Sequence, residues 1–228
     1  MLPLGIAATK SKKCQIRTMK ISILGATGGT GQQLVKQALE QGHEVSALAR
    51  DPAKLQILDD RLTIIKGDAL DRNCMLQAVD GKDAVLSCLG RGQSLRSDNL
   101  ISNAVNILIP VMKEKNVQRL IFLSAAGVGE NYQYASTAQK IFFRFLLKDI
   151  YADKAKGEEQ IKNSNLDWTL VRPARLTNKP YAGNYEDGEN IKMKGTPKIS
   201  RADTAEFMVL QLTDKTYRKR APTILNKR

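Results

Sequence analysis

Lys20-Ile21-Ser22-Ile23-Leu24 runs directly into Gly25-Ala26-Thr27-Gly28-Gly29-Thr30-Gly31, and this stretch decides the fold. The first five residues form a short β-branched and aliphatic run that reads as a strand. Thr30 to Gln41 then carries Leu34, Val35, Ala38 and Leu39 at helical spacing. Glycines fill the turn between them. One residue without a β-carbon permits the sharp turn, another lets the backbone approach a pyrophosphate, and the last lets the helix pack closely on the sheet. The start of the helix offers unpaired N–H groups and a positive dipole end to phosphates. With a strand before it and a helix after it, the segment Gly25 to Gly31 reads as a dinucleotide-binding turn rather than an ordinary glycine-rich loop.

Moving outward, Gly42 stops the helix as a C-terminal cap would, and Glu44 to Ala49 resumes as a strand ending at Arg50. This closes one βαβ unit of about 30 residues. Sites for NAD usually place an acid at the end of that second strand for the ribose 2′-hydroxyl, whereas a guanidinium suits a 2′-phosphate. Arg50 therefore favours NADP(H), with Lys54 one turn on as a second cation. Asp51 is the competing ribose ligand, which would favour NAD(H).

The alternation continues along the chain. Asp51 and Pro52 suit the start of a helix, Leu62 to Ile65 a strand, Asp71 the cap of a helix through Val79, and Ala84 to Leu89 a fourth strand. A longer helix from about Asp98 to Lys115 meets Pro110, which should interrupt or bend it, and Arg119 to Leu123 is a fifth strand ending at Ser124. After an apolar block at Ile141 to Leu147 and a charged helix through Lys154 and Gln160 comes the strand Trp168 to Val171. A polar stretch from Tyr181 to Pro197 reads as hairpin or loop, and Ala202 to Leu212 as a final helix. The fold class is α/β, a single doubly wound Rossmann-type domain with a mainly parallel sheet and helices on both faces.

A chain of 228 residues suits one such domain, expected over residues 19–222. Residues 1–18 precede the first strand and read as a disordered extension, and 223–228 as a basic tail. The formal charge of +13 sits largely at the ends, +5 in residues 1–20 and +5 in 214–228, leaving +3 between. Short solvated charge runs explain such ends better than a nucleic-acid face does, so no nucleic-acid partner is expected. Three cysteines without paired spacing suit a reducing cytoplasm, and no segment reaches the ~18 apolar residues of a membrane span.

Further segments carry a family resemblance: "ALARDP" at Ala47 to Pro52, "GDAL" at Gly67 to Leu70, "FLSAAG" at Phe122 to Gly127, "DWTLVRPARL" at Asp167 to Leu176 and "KISRADTAEFM" at Lys198 to Met208. Together with the glycine turn they make residues 19 to 222 resemble the atypical short-chain dehydrogenases/reductases of the NAD(P)H-binding, NmrA-like group. Within that group the chain most resembles the biliverdin reductase B (flavin reductase) type. The resemblance implies cofactor contacts at Thr27, Gly28, Gly29, Thr30, Arg50, Asp68, Leu89, Gly90, Ser124 and Pro173, and the reading of the loops themselves adds Gly25, Gly31, Lys54, Ala69 and Arg91 as cofactor-binding candidates. Asp68 serves as well as a turn or cap residue.

The ordinary short-chain enzymes pair a tyrosine with a lysine four positions later to exchange a proton near neutral pH. Here Tyr151 is followed at that offset by Ala155, with Lys154 one position early. A standard alcohol dehydrogenation is therefore not expected. Ser124 is the candidate catalytic hydroxyl, against the plainer reading of a serine ending a strand with a local turn. Arg175 is the candidate substrate-binding residue, since a guanidinium beside the open face would favour a flavin phosphate or a tetrapyrrole propionate. His43 reads as structural, and no His, Cys, Asp or Glu cluster suggests a metal. The expected function is an NADPH-dependent reductase delivering hydride to a small planar acceptor such as a flavin, a tetrapyrrole or a quinone, in a monomer or weak homo-oligomer. The alternative is a non-catalytic NADP(H)-sensing regulator or assembly factor, and a third reading is a sugar-nucleotide isomerase or epimerase.

Overall fold

Strand β1 (Lys20–Leu24) sorts its side chains between two cores: Ile21 and Ile23 join one and Leu24 the other, as alternation across a pleated strand requires. The same sorting recurs in β4 (Ala84–Ser87), β5 (Arg119–Leu123) and β6 (Asp167–Pro173), where Leu86, Ile121, Leu123 and Val171 face the first core and Val85, Leu120, Phe122 and Leu170 the second. A sheet apolar on both faces must be covered on both. Helices α1 (Gly29–Glu40) and α5 (Arg201–Leu210) cover one, while α2 (Arg72–Val79), α3 (Leu100–Glu114) and α4 (Lys148–Lys162) cover the other. The structure is a computed structural model and describes residues 17–90, 92, 97–136, 139–140 and 147–227. Of the expectations above, those for residues 1–16, for Arg91 and for most of the apolar run at 141–147 lie outside the described residues.

With β2 (Glu44–Ala49), β3 (Leu62–Lys66), β8 (Tyr185–Gly188) and β10 (Thr223–Asn226), the main sheet has eight strands in the order β3-β2-β1-β4-β5-β6-β10-β8. Every pairing is parallel except that of β8 with β10. A separate ribbon joins β7 (Arg175–Thr177) to β9 (Lys198–Ser200), also in parallel. The single Rossmann-type domain with a mainly parallel sheet is thus as expected.

Four local expectations change. Residues 223–226 are not tail but strand β10, because Thr223, Ile224 and Leu225 are buried between β6 and β8. The stretch from Tyr181 to Pro197 contributes β8 to the sheet edge, where it pairs with that same strand. Pro52 begins only a single 3-10 turn, Pro52–Lys54. Helix α3 continues past Pro110 to Glu114.

Candidate functional site

The strand order reverses between β1 and β4, so the loops leaving these two strands open a crevice at the carboxyl end of the sheet. Gly25 turns the chain out of β1 at a φ of +77°, and a β-carbon there would stand 2.7 Å from the Cys88 carbonyl oxygen. A β-carbon on Gly31 would collide with the carbonyl of Gly25, so the turn closes on its own backbone. These two glycines are structural necessities. Gly28 and Gly90 differ: the nearest atom to a β-carbon on Gly28 is 3.4 Å away, none lies within 4 Å of one on Gly90, and both residues line a cleft of about 780 Å³. Helix α1 begins there with neither a side-chain cap nor an acid in its first turn, and its first backbone bond runs from the Gln32 N–H to the Gly28 carbonyl. The N–H groups of the first turn are therefore available to an anion.

Ser124 follows β5 on the far wall of the same cleft. Its N–H donates to the Val171 carbonyl at 2.7 Å, which fixes its backbone. The residue is only 4% exposed, and among the described residues its hydroxyl has no partner. The hydroxyl makes no local-turn hydrogen bond among the described residues.

Tyr151 and Lys154 complete this wall from α4. Spaced three apart, they share one face of the helix. The Tyr151 hydroxyl donates to the Ala126 carbonyl at 3.1 Å, and the Lys154 ammonium donates to the Leu123 carbonyl at 3.4 Å. Burial raises the pKa of the Tyr151 phenol. Burial lowers that of Lys154, against the opposing pull of Glu158 and Asp153. Cys88 lines the cleft as well, and burial pushes its thiol up to about 12, so it is neutral and a poor nucleophile. Lys154 stands three rather than four residues after Tyr151, which breaks the expected tyrosine–lysine spacing, yet helical geometry brings both to the cleft.

Two buried acids hold α4 in place. Glu158, one turn beyond Lys154, pairs with Arg172 of β6: the guanidinium Nε donates to Oε1 at 3.0 Å and Nη2 to Oε2, with both side chains almost fully buried. Arg172 also donates to Glu130 at 2.9 Å, and Lys162 does so at 2.7 Å. Burial pushes the Glu130 carboxyl up, but these two cations outweigh it and hold the group at about 2. On the next face of α4, Asp153 accepts from the N–H groups of Ile101 and Ser102, both at 2.9 Å, and so caps α3.

The remaining predicted residues divide. Leu89, Pro173 and Arg175 line the cleft with Gly28 to Gly31, Gly90 and Ser124. Arg50 and Lys54 are exposed outside it, and Lys54 pairs with Asp51 at 3.4 Å. The Gln32 amide ties that turn to the glycine loop by donating to the carbonyls of Thr27 and Lys54, each at 3.2 Å. Asp68 accepts from the Leu70 N–H at 2.9 Å, a turn contact, and Ala69 is buried in the second core. His43 is buried away from the cleft, its Nδ1 accepting from the Met19 N–H at 3.2 Å. Among the described residues no group of three or more His, Cys, Asp or Glu is placed to hold a metal, and no helix is long and apolar enough to cross a membrane.

A dinucleotide fits these residues. The cleft offers open space beside Gly28 and Gly90, an uncapped helix start for phosphate, and an unpartnered buried hydroxyl at Ser124. Comparison with known proteins agrees. The chain is 28% identical over 222 residues to the protein YwnB of Bacillus subtilis, covering 91% of this chain and 99% of that one. Its fold matches a short-chain dehydrogenase/reductase of Veillonella parvula solved in complex with NADP, with TM-score 0.77, 22% identity, and 91% and 94% of the two chains covered. It also matches ChuY of Escherichia coli O157:H7, described as an anaerobillin reductase, with TM-score 0.75, 20% identity, and coverage of 91% and 97%. The profile of the NAD(P)H-binding family spans residues 25–215, most of the domain including the glycine loop and both walls of the cleft, and the chain belongs to that family.

Proposed function

We propose that the protein is an NADPH-dependent reductase that passes hydride to a planar conjugated acceptor, flavin first and a linear tetrapyrrole or quinone next. The observation that carries this reading is the continuity of one cleft of about 780 Å³ from the glycine loop to Ser124, Lys154 and Arg175. The tetrapyrrole stands beside flavin because ChuY, of the same fold, is described as an anaerobillin reductase. When bound, NADPH supplies the hydride. The N–H groups at the start of α1 take the diphosphate, and Arg50 with Lys54 takes the 2′-phosphate. Gly25, Thr27, Asp68 and Ala69 shape the loops around them, and Leu89, Gly90 and Pro173 flank the nicotinamide.

Reduction of the acceptor would require a proton as well as that hydride. Lys154 is placed to give that proton: burial makes its ammonium a stronger acid than a lysine in water, and solvent can restore the proton afterwards. The Ser124 hydroxyl orients the nicotinamide or the acceptor. Arg175, exposed at the cleft edge, meets an anionic substituent of the acceptor. Titration of the protein with NADPH and NADH tests the first step. Saturable binding that favours NADPH is expected, and no binding of either would sink the reading.

A further inference from the structure

Arg201 stands outside the roles assigned above. It is the first residue of α5, next to the N-cap Ser200, whose hydroxyl oxygen accepts from the Asp203 N–H at 2.9 Å. The Gln37 amide, in the last turns of α1, donates to the Ala202 carbonyl at 2.9 Å, so the start of α5 is tied to the far end of α1. The arginine stem lies across the glycine loop: its Cδ and Nε are each 2.9 Å from where a β-carbon on Gly29 would stand. A β-carbon on Gly29 would meet only this flexible side chain, a weaker constraint than the backbone that crowds Gly25 and Gly31, so the contact shows how closely Arg201 approaches the loop. Nη1 donates to the Asn178 amide oxygen at 2.6 Å, which steadies the head of the side chain.

This guanidinium carries a charge that the described protein does not neutralise. Among the described residues no carboxylate lies within 4.0 Å of it. The nearest acid in sequence, Asp203, is occupied, its oxygens accepting from the Ser200 hydroxyl at 2.6 Å and from the N–H groups of Ala182 and Gly183 at 2.9 Å. Arg201 lines the same cleft as Gly28 to Gly31. A fixed, unpaired guanidinium beside an uncapped helix start matches a diphosphate, whose charge one backbone turn alone does not balance.

We propose that Arg201 is the side-chain half of the diphosphate site, closing on the cofactor's pyrophosphate beside the N–H groups of α1. This rests on the NADP(H) reading above. Binding of NADP⁺ and of 2′-AMP, which has the 2′-phosphate but no diphosphate, is measured for wild type, Arg201→Gln, Arg201→Lys and Arg50→Gln. Arg201→Gln should weaken NADP⁺ by about 10- to 100-fold, the loss of a hydrogen bond between charged groups. It should leave 2′-AMP unchanged, and Arg201→Lys should recover part of the loss. Arg50→Gln should weaken both ligands. NADP⁺ affinity unchanged in Arg201→Gln would overturn the proposal. So would unchanged affinity with a raised KM for FMN but not riboflavin, which would assign Arg201 to the acceptor's phosphate. Parallel loss of both ligands in Arg201→Gln would make it a folding residue and overturn the proposal equally. Failure of the wild type to bind NADP⁺ would instead remove the cofactor reading, and this inference with it.

Discussion

Lys154 and Ser124 reach the cleft from different elements, one from the middle of α4 and one from the end of β5, and their environments separate their roles. The ammonium is buried with its charge disfavoured, which makes it a stronger acid than a lysine in water, whereas the serine hydroxyl is buried and, among the described residues, unpartnered, which suits a positioning contact. Lys154→Met should therefore lower kcat by about 100-fold, the lower end for a lost general acid, while changing NADPH affinity by less than about threefold. Equal losses in kcat and in NADPH binding would make Lys154 a cofactor contact only. Arg50 makes a separate prediction, since it is exposed beyond the cleft and its side chain has no hydrogen bond or ion pair among the described residues. Arg50→Glu should reverse the preference from NADPH to NADH, measured as the ratio of the two kcat/KM values, and an unchanged preference would remove Arg50 from the 2′-phosphate site. Ser124 was legible in the sequence because it ends a strand after a recognisable run. Lys154 was not, because a spacing of three in place of four reads as the loss of a motif until the helix shows that both residues share a face.

At the scale of elements, α4 is the part on which the account depends. Glu158 fastens it to β6 through Arg172 and Asp153 fastens it to α3, which leaves the Tyr151 and Lys154 face toward the cleft. Removing one member of a buried ion pair strands the other charge, at about 3–5 kcal/mol. Glu158→Gln should cost about 3 kcal/mol in denaturant unfolding, the low end, because Arg172 retains Glu130 at 2.9 Å. A loss below about 1 kcal/mol would show that the pair does not anchor the helix. The elements that were legible in advance, β1 to β6 and the helices between them, have apolar runs long enough to show a period. Strand β10 did not, because four residues flanked by lysine and arginine carry charge more visibly than pattern, and its burial comes from β6 and β8, distant in sequence. The 3-10 turn after β2 was overread for the opposite reason: Asp51 and Pro52 are helix-start residues, but no apolar period follows them.

For the whole molecule, stability near neutral pH should depend on one group. His43 is the only histidine in the chain, and burial lowers its pKa from 6.5. Its folded state therefore takes up a proton less readily than its unfolded state. The contribution is fully present above pH 6.5 and is lost as the pH falls below that value through the folded pKa. Protonation would also cancel the bond that Nδ1 accepts from Met19. Unfolding free energy should decline from pH 7 toward pH 5.5, and His43→Gln should flatten that decline; an equal slope in the variant would contradict it. The family and the doubly wound sheet were readable from Gly25 to Gly31 and from the alternation that follows. The cleft was not, because its far wall is assembled from β5, α4 and the start of β7, segments separated by up to about 50 residues. The measurement that tests the account most directly is oxidation of NADPH by the purified protein, followed at the nicotinamide absorbance band, with FMN, riboflavin, biliverdin and a quinone offered in turn. NADPH should be lost only when an acceptor is present, matched one for one by reduction of that acceptor. Tight NADPH binding with no oxidation across the whole panel would contradict it and make the protein a dinucleotide-sensing regulator instead.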